Sequence, residues 1–492
     1  MVESWIKEIK GGLNLTYVES SELRALAKKD EIKTKNGIPV YHTKIKSRSA
    51  AFTRNVYTID KETEEKIKKG MSYLQSSDFV FLDRVIGQNP NNRFGVRLYV
   101  PKDYARLAYM FAENFFPPEG KEPEIVTVCV PNWDGREILV FPNEKTTYIL
   151  GSDYYGEVKM SFLRMAMHIM REERNGLGLH AGSKVYRIKT GGELKDRGVL
   201  IFGLSGTGKT TITCADHGLR DPERVFILQD DINMLTYSGF SYGTEKNFYV
   251  KTDSITSQPA LLEAALSKGA IAENVFVKDD GTIDFDNLSI STNGRCIVQR
   301  EKVKYTTDNI DLERVDVVFF NTRRYDIPPV GRFVSPAQAA AFLMLGESTI
   351  TSADDPNRVG ESKRVVAFDP FIIDNHHKNG NRFFEILNQN PNIKVYLLNT
   401  GKIGGLEGVK ITPNITFSIV EAIMRDEIVW EFNADLGYDV AKDIPDVDIS
   451  VFDPYKIYGK QKFSKIMNAL REERKSYLSK FSGLKGEIRE AV

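Results

Sequence analysis

Cysteine is scarce in this chain: Cys129, Cys214 and Cys296 are the only three in 492 residues, and they lie far apart. Three scattered thiols make neither a metal-ligand spacing nor a disulfide framework, which excludes a small secreted scaffold and fits a reducing cytoplasm. Net charge is absent too. Lys plus Arg and Asp plus Glu stand at 67 each, so bulk charge drives neither nucleic-acid nor membrane association. No run of about 18 apolar residues occurs, and the opening Met-Val-Glu-Ser-Trp-Ile-Lys-Glu is charged and carries no apolar signal core. There is no internal repeat and no low-complexity tract. The expectation is a soluble cytoplasmic protein with neither nucleic acid nor membrane as partner; the oligomeric state is left open.

What is present is enough for a large core. The hydrophobic share is 41% and the aromatic share 11% over 492 residues, a length that suits two or three domains or one two-lobed enzyme. Helical periods run over Ser21–Lys29, Asp103–Phe116, Glu157–Arg171 and Phe463–Phe481. Short β-rich runs occur at Ile125–Val130, Ile138–Phe141, Val199–Phe202, Val225–Leu228, Val275–Val277, Val317–Phe320 and Val395–Leu398. The reading is an α/β chain with an N-terminal substrate-side lobe over 1–190 and a C-terminal nucleotide-binding lobe over 191–492. The polar, turn-rich segment 347–362 reads either as a lid or as a surface excursion.

One stretch carries chemistry. Gly203-Leu204-Ser205-Gly206-Thr207-Gly208-Lys209-Thr210-Thr211 is a complete G-x-x-x-x-G-K-[ST] phosphate loop, preceded by the apolar run Val199–Phe202 and followed by a stretch able to start a helix. Three glycines let backbone N–H groups converge on a phosphate. The helix start adds partial positive charge. Lys209 is expected on the β- and γ-phosphates and Thr210 on Mg²⁺. The run Val225–Leu228 leads into Gln229-Asp230-Asp231, about twenty residues past the lysine, where a carboxylate anchor for Mg²⁺ belongs. His180, in Gly178-Leu179-His180-Ala181-Gly182, is by itself either a satisfied core side chain or a ligand.

At this point the sequence resembles the ATP-dependent phosphoenolpyruvate carboxykinases. The loop Gly203–Thr211 is similar to theirs throughout. Lys46-Ser-Arg48-Ser49, Gly87–Arg97, Leu150–Lys159, His180, Asp230-Asp231, Gly281–Asp286 with Ser291–Arg295, Pro328–Val330, Leu398–Gly401 and Lys410–Thr416 resemble further family segments in the same order, over roughly residues 40 to 480. The resemblance implies a two-lobed fold with the phosphate loop in the C-terminal lobe, the active site in its cleft, and conversion of oxaloacetate and ATP to phosphoenolpyruvate, CO2 and ADP. It further implies that His180 and Asp231 ligate a second ion, usually Mn²⁺, beside the Mg²⁺ of Thr210 and Asp230. Arg48, Tyr154 and Arg295 would grip the dicarboxylate and steady the enolate. Lys159 would be one of a catalytic lysine pair, and Thr416 would lie near the adenine.

The chain also departs from that pattern. Met160 stands where the family has its second, metal-binding lysine, and a thioether is a poor ligand for a hard cation. Ala181-Gly182 replaces Cys-Ser, Ala50–Thr53 replaces Pro-Lys-Asp-Lys, and Arg364–Phe368 replaces the family's lid ending. The nucleotide half therefore matches better than the acceptor half. Beside the carboxykinase reading stand a kinase on the same scaffold with another hydroxyl acceptor, a small molecule or protein, and a nucleotide-binding regulator with little turnover. Met160→Lys should raise activity under the first.

Overall fold

The computed structural model describes residues 16–47, 50–76, 78–253, 255–350 and 357–492. Of the residues singled out above, Arg48, Ser49 and 351–356 of the candidate lid lie outside them. The chain folds into two compact units. The first holds the described residues up to Ile169, Thr244–Ile310 and Phe371–Asp374; the second holds Met170–Gly243, Asp311–Pro370 and Asn375–Val492. The single boundary read at residue 190 thus meets an interleaved chain. The strand Leu177–Thr190, placed by sequence in the first lobe, falls in the second unit, where it pairs over Ala181–Thr190 with Glu193–Phe202.

The first unit is built on a seven-stranded mixed sheet. Ile125–Val130 sits inside it, parallel to both Phe94–Pro101 and Thr146–Leu150. All six of its residues are buried, which is why it reads as a continuous apolar run rather than an alternating one. A second sheet of four strands carries Phe248–Lys251, Arg295–Val298, Ile271–Glu273 and Val40–Tyr41. The helix Tyr155–Glu172 starts two residues before the expected Glu157.

The second unit is organised by a ten-stranded sheet. Four strands matter for the site: β1 (Leu177–Thr190), β2 (Glu193–Gly203), β3 (Val317–Thr322) and β4 (Lys394–Asn399). β1 and β2 form a long antiparallel hairpin, while β2, β3 and β4 run parallel to one another. Their inward side chains (Val199, Ile201, Val317, Phe319, Leu398) make a core with Ile419, Val420 and Ile423 of the helix Pro413–Arg425.

Local chemistry explains several element ends. Ser335 Oγ accepts the Gln338 N–H at 3.1 Å and Pro336 opens the helix Pro336–Leu345, which stops at Gly346 in the left-handed region. Two expectations change. Val275–Val277 is only a two-residue strand, Phe276–Val277, because the following Lys278–Gly281 turn ends it. The candidate lid begins and ends as a small antiparallel ladder, Glu347–Thr349 against Ser362–Arg364. There Glu347 is buried among Arg474 (2.6 Å), Arg364 (2.9 Å) and Arg324 (3.7 Å), and these guanidiniums hold its carboxyl well below the usual range. The polar appearance of that stretch in sequence therefore hides a buried anchor.

Candidate active site

The phosphate loop leaves β2 at Gly203 and enters a short helix, α1 (Lys209–Cys214). Gly203 is required by contact, since a β-carbon there would come 2.3 Å from Thr207 Oγ1. Gly208 is required by conformation, at φ +87° as the residue that opens α1. Thr207 closes the turn from inside, its N–H and Oγ1 both donating to the Leu204 carbonyl at 3.1 and 2.8 Å. Ser205 is exposed while Leu204 is buried. Thr400 Oγ1 donates to the Thr207 carbonyl at 2.8 Å and so fixes the loop from outside.

The far end of α1 is held by an unusual donor. Lys184 on β1 is buried, and its Nζ donates to the carbonyls of Ile212 and Ala215 at 2.8 and 2.5 Å. These are helix-end acceptors with no partner inside the helix. Burial pulls this ammonium down to about 7.

Strand register brings the metal-type residues to the loop. Phe202 pairs with Ala181 across the hairpin, so His180 lies one residue beyond the pair, level with the start of the loop. Arg224–Gln229 and Ile232–Leu235 both pair with β1, through Gln229↔Ser183 and Ile232↔His180, and the turn between them carries Asp230 and Asp231. As a result His180 Nε2 and Asp231 Oδ1 are 3.0 Å apart, Lys209 Nζ is 3.7 Å from the same oxygen, and Thr210 Oγ1 donates to Asp230 Oδ2 at 3.0 Å. His180 Nδ1 is 3.0 Å from the Phe368 carbonyl. A carbonyl only accepts, so Nδ1 is the donor in that contact, and Nε2 is the ring nitrogen turned toward Asp231. Ala367 and Phe368 deliver that carbonyl from the left-handed region, at φ 54° and 56°, a conformation costly for residues with side chains.

Among the described residues no three His, Cys, Asp or Glu side chains converge. The donors come as two pairs, hydroxyl with carboxylate and imidazole with carboxylate. The first suits Mg²⁺, which keeps several waters and takes phosphate oxygens beside one or two protein ligands. The second pairs one imidazole with one carboxylate, a set that a first-row divalent ion such as Mn²⁺ can take. Thr416 is in the same unit, on the helix Pro413–Arg425, but it is buried and its hydroxyl donates to the Thr412 carbonyl at 3.3 Å.

The first unit brings together the other group of predicted residues. Asn293 Nδ2 donates to Tyr154 Oη at 3.0 Å and to the Lys46 carbonyl at 2.9 Å, while its Oδ1 accepts from Arg295 Nη2 at 2.9 Å. One amide therefore ties three sequence segments. Asp153 secures the same stretch by accepting the N–H groups of Lys44 and Ile45 at 3.0 Å and Arg106 Nη2 at 2.9 Å. Lys159 is 1% exposed and lies 3.1 Å from Glu245. The Tyr249 ring is flanked by two cations, Lys159 Nζ at 5.2 Å and Arg295 Cζ at 5.6 Å. Tyr249 Oη donates to Glu273 at 3.1 Å. Burial raises that carboxyl to about 7, against the lowering pull of Arg106. Met160 is 2% exposed.

Sequence reasoning missed Asn293, Thr400, Lys184 and the Phe368 carbonyl. Asn293 was within reach, standing two residues before Arg295 inside a quoted motif. A backbone carbonyl has no residue signature at all.

A family model described as phosphoenolpyruvate carboxykinase matches residues 36–450. The phosphoenolpyruvate carboxykinase (ATP) of Aeropyrum pernix is 37% identical over 447 residues, covering 90% of this chain and 90% of that protein. The proteins of the same name from Flavobacterium johnsoniae and Geobacillus thermodenitrificans are 26% and 24% identical over 85% and 87% of this chain and 80% and 83% of their own lengths.

Proposed function

The chain belongs to the phosphoenolpyruvate carboxykinase family, and on that premise we propose that it is an ATP-dependent carboxykinase converting oxaloacetate and ATP to phosphoenolpyruvate, CO2 and ADP. The observation that carries this reading is the meeting of His180, Asp231, Lys209, Thr210 and Asp230 at the start of the phosphate loop.

In this reading loop 203–211 takes the triphosphate on its N–H groups, with Lys209 over the β- and γ-phosphates. Thr416 lies toward the adenine. Arg48, Tyr154 and Arg295 take the dicarboxylate, and a guanidinium suits a carboxylate because two parallel N–H groups match two oxygens. The C3–C4 bond of oxaloacetate breaks and its electron pair stays on the three-carbon fragment as an enolate, while CO2 leaves. The enolate oxygen then attacks the γ-phosphorus and ADP departs. Arg295 and Tyr154 stabilise the enolate charge in the interval. Lys159, paired with Glu245, acts by positioning Tyr249 beside Arg295 rather than by moving a proton. Divalent cations, Mg²⁺ on Thr210 and Asp230 and Mn²⁺ on His180 and Asp231, would supply charge neutralisation at the phosphates and the enolate. The three cysteines are buried and unpaired, which supports a reducing cytoplasm as the working compartment.

The test is a product assay with ATP, Mg²⁺ and Mn²⁺, with and without oxaloacetate. Phosphoenolpyruvate forming only when both substrates are present is the expected result. ADP release that requires a different acceptor, or nucleotide binding without turnover, would replace this reading.

A further inference from the structure

Three strand ends meet beside the phosphate loop. β2 ends in the loop itself, β3 ends at Thr322 and continues into Arg323, and β4 ends at Asn399 and continues into Thr400. Because β2, β3 and β4 are neighbours and parallel, all three carboxyl ends open on one edge of the sheet. In open α/β sheets that edge is where ligands bind. The ends are laced together: the Thr400 N–H donates to the Thr322 carbonyl at 2.9 Å while its hydroxyl reaches the Thr207 carbonyl at 2.8 Å.

Two arginines follow β3, and they are used differently. Arg324 is buried and engages Asp326 through two bonds, at 2.8 and 2.7 Å. Arg323 is only partly buried. Its guanidinium lies over the loop, for a β-carbon placed on Gly206 would come 4.0 Å from its Nη1. Its backbone is set on both sides, the N–H donating to Ser348 Oγ at 3.2 Å and the carbonyl accepting from Thr349 Oγ1 at 2.7 Å. The start of its side chain is fixed as well, since a β-carbon on Gly401 would lie 3.3 Å from Arg323 Cβ.

We propose that Arg323 contacts the γ-phosphoryl group of the nucleotide held by loop 203–211 and carries part of its charge during transfer. This rests on the functional reading above. The resemblance assigns no role to this position. A guanidinium fits phosphate oxygens in the same forked way as it fits a carboxylate, and an arginine supplied in the same chain is a recurrent device in phosphoryl transfer.

The test uses full-length Arg323→Ala and Arg323→Lys beside the unmodified protein. Calorimetry gives the affinities for ATP and ADP with Mg²⁺, and the product assay gives kcat. The expected result for Arg323→Ala is an ATP affinity lowered to the level of ADP, an unchanged ADP affinity, and a kcat lower by roughly 100-fold or more. Arg323→Lys should recover part of the ATP affinity and little of kcat. A parallel loss of ATP and ADP affinity with a lowered melting temperature would mean a structural role and overturn the inference. So would a variant with unchanged ATP affinity and kcat, while an unmodified protein that forms phosphoenolpyruvate leaves the functional reading standing. If the unmodified protein binds no ATP, the functional reading falls and this inference falls with it.

Discussion

His180 Nε2 and Asp231 Oδ1 stand 3.0 Å apart although His180 is on β1 and Asp231 is in the turn before Ile232, and the contact follows from the register Ile232↔His180. The same aspartate oxygen is 3.7 Å from Lys209 Nζ. One carboxylate thus serves both the imidazole and the phosphate-loop lysine, and removing it should be felt by both.

Asp231→Asn keeps the shape and removes the charge. We expect kcat for phosphoenolpyruvate formation to fall by about 100-fold or more, on the scale of losing one aligned electrostatic group in an active site. Far-UV circular dichroism should be unchanged, since Asp231 sits in a turn between two strands.

Asn293→Ala removes the amide that ties Tyr154, Arg295 and the Lys46 carbonyl. Its effect should appear in substrate capture. KM for oxaloacetate is expected to rise about tenfold, the scale of one to two net hydrogen bonds, with a smaller change in kcat and none in ATP affinity. Steady-state kinetics with each substrate varied in turn checks this.

Lys184→Met removes the ammonium donor from two carbonyls at the end of α1, of which that of Ile212 keeps His217 Nε2 at 3.2 Å, a loss of about 1–3 kcal/mol. The loss should depend on pH. Burial pulls the folded-state ammonium from the ordinary 10.5 to about 7, so between those values the unfolded chain binds the extra proton and the unmodified protein gains stability as pH rises. The methionine variant has no such gain. Urea midpoints should therefore differ more at high pH than at pH near 7.

Met160→Lys places an ammonium where the side chain is 2% exposed. An unpaired buried charge costs several kcal/mol of stability, a cost separate from the gain in turnover that the family pattern leads one to expect. The melting temperature should drop by several degrees or more. Met160→Leu, a swap of similar volume, should cost less than about 1.5 kcal/mol.

Much of the nucleotide side is legible in the sequence. A phosphate loop is a local steric pattern, and its glycine positions are dictated by atoms a few residues away, such as Thr207 Oγ1 against Gly203. The strand Ile125–Val130 and the run Val317–Phe320 of β3 could be read because fully buried strands leave nearly continuous apolar runs. The partner of His180 could not, because Phe368 contributes a carbonyl and the backbone twist that presents it belongs to Ala367 and Phe368, neither of them glycine. Glu347 was hidden for a different reason. Its polar neighbours suggest a surface stretch, and the Arg474 that neutralises it lies 127 residues away. Pairings of that separation leave no trace in periodicity or spacing.

The chain changes compact unit five times, after Ile169, Gly243, Ile310, Pro370 and Asp374. A growing polypeptide ordinarily completes one domain before the next leaves the ribosome. That order is closed to this protein, for its first unit must await Phe371–Asp374, by which time about half of the second has already been synthesised. Neither half can be cut out by trimming a terminus, and any dissection into separately expressed pieces would have to rejoin distant stretches through new linkers.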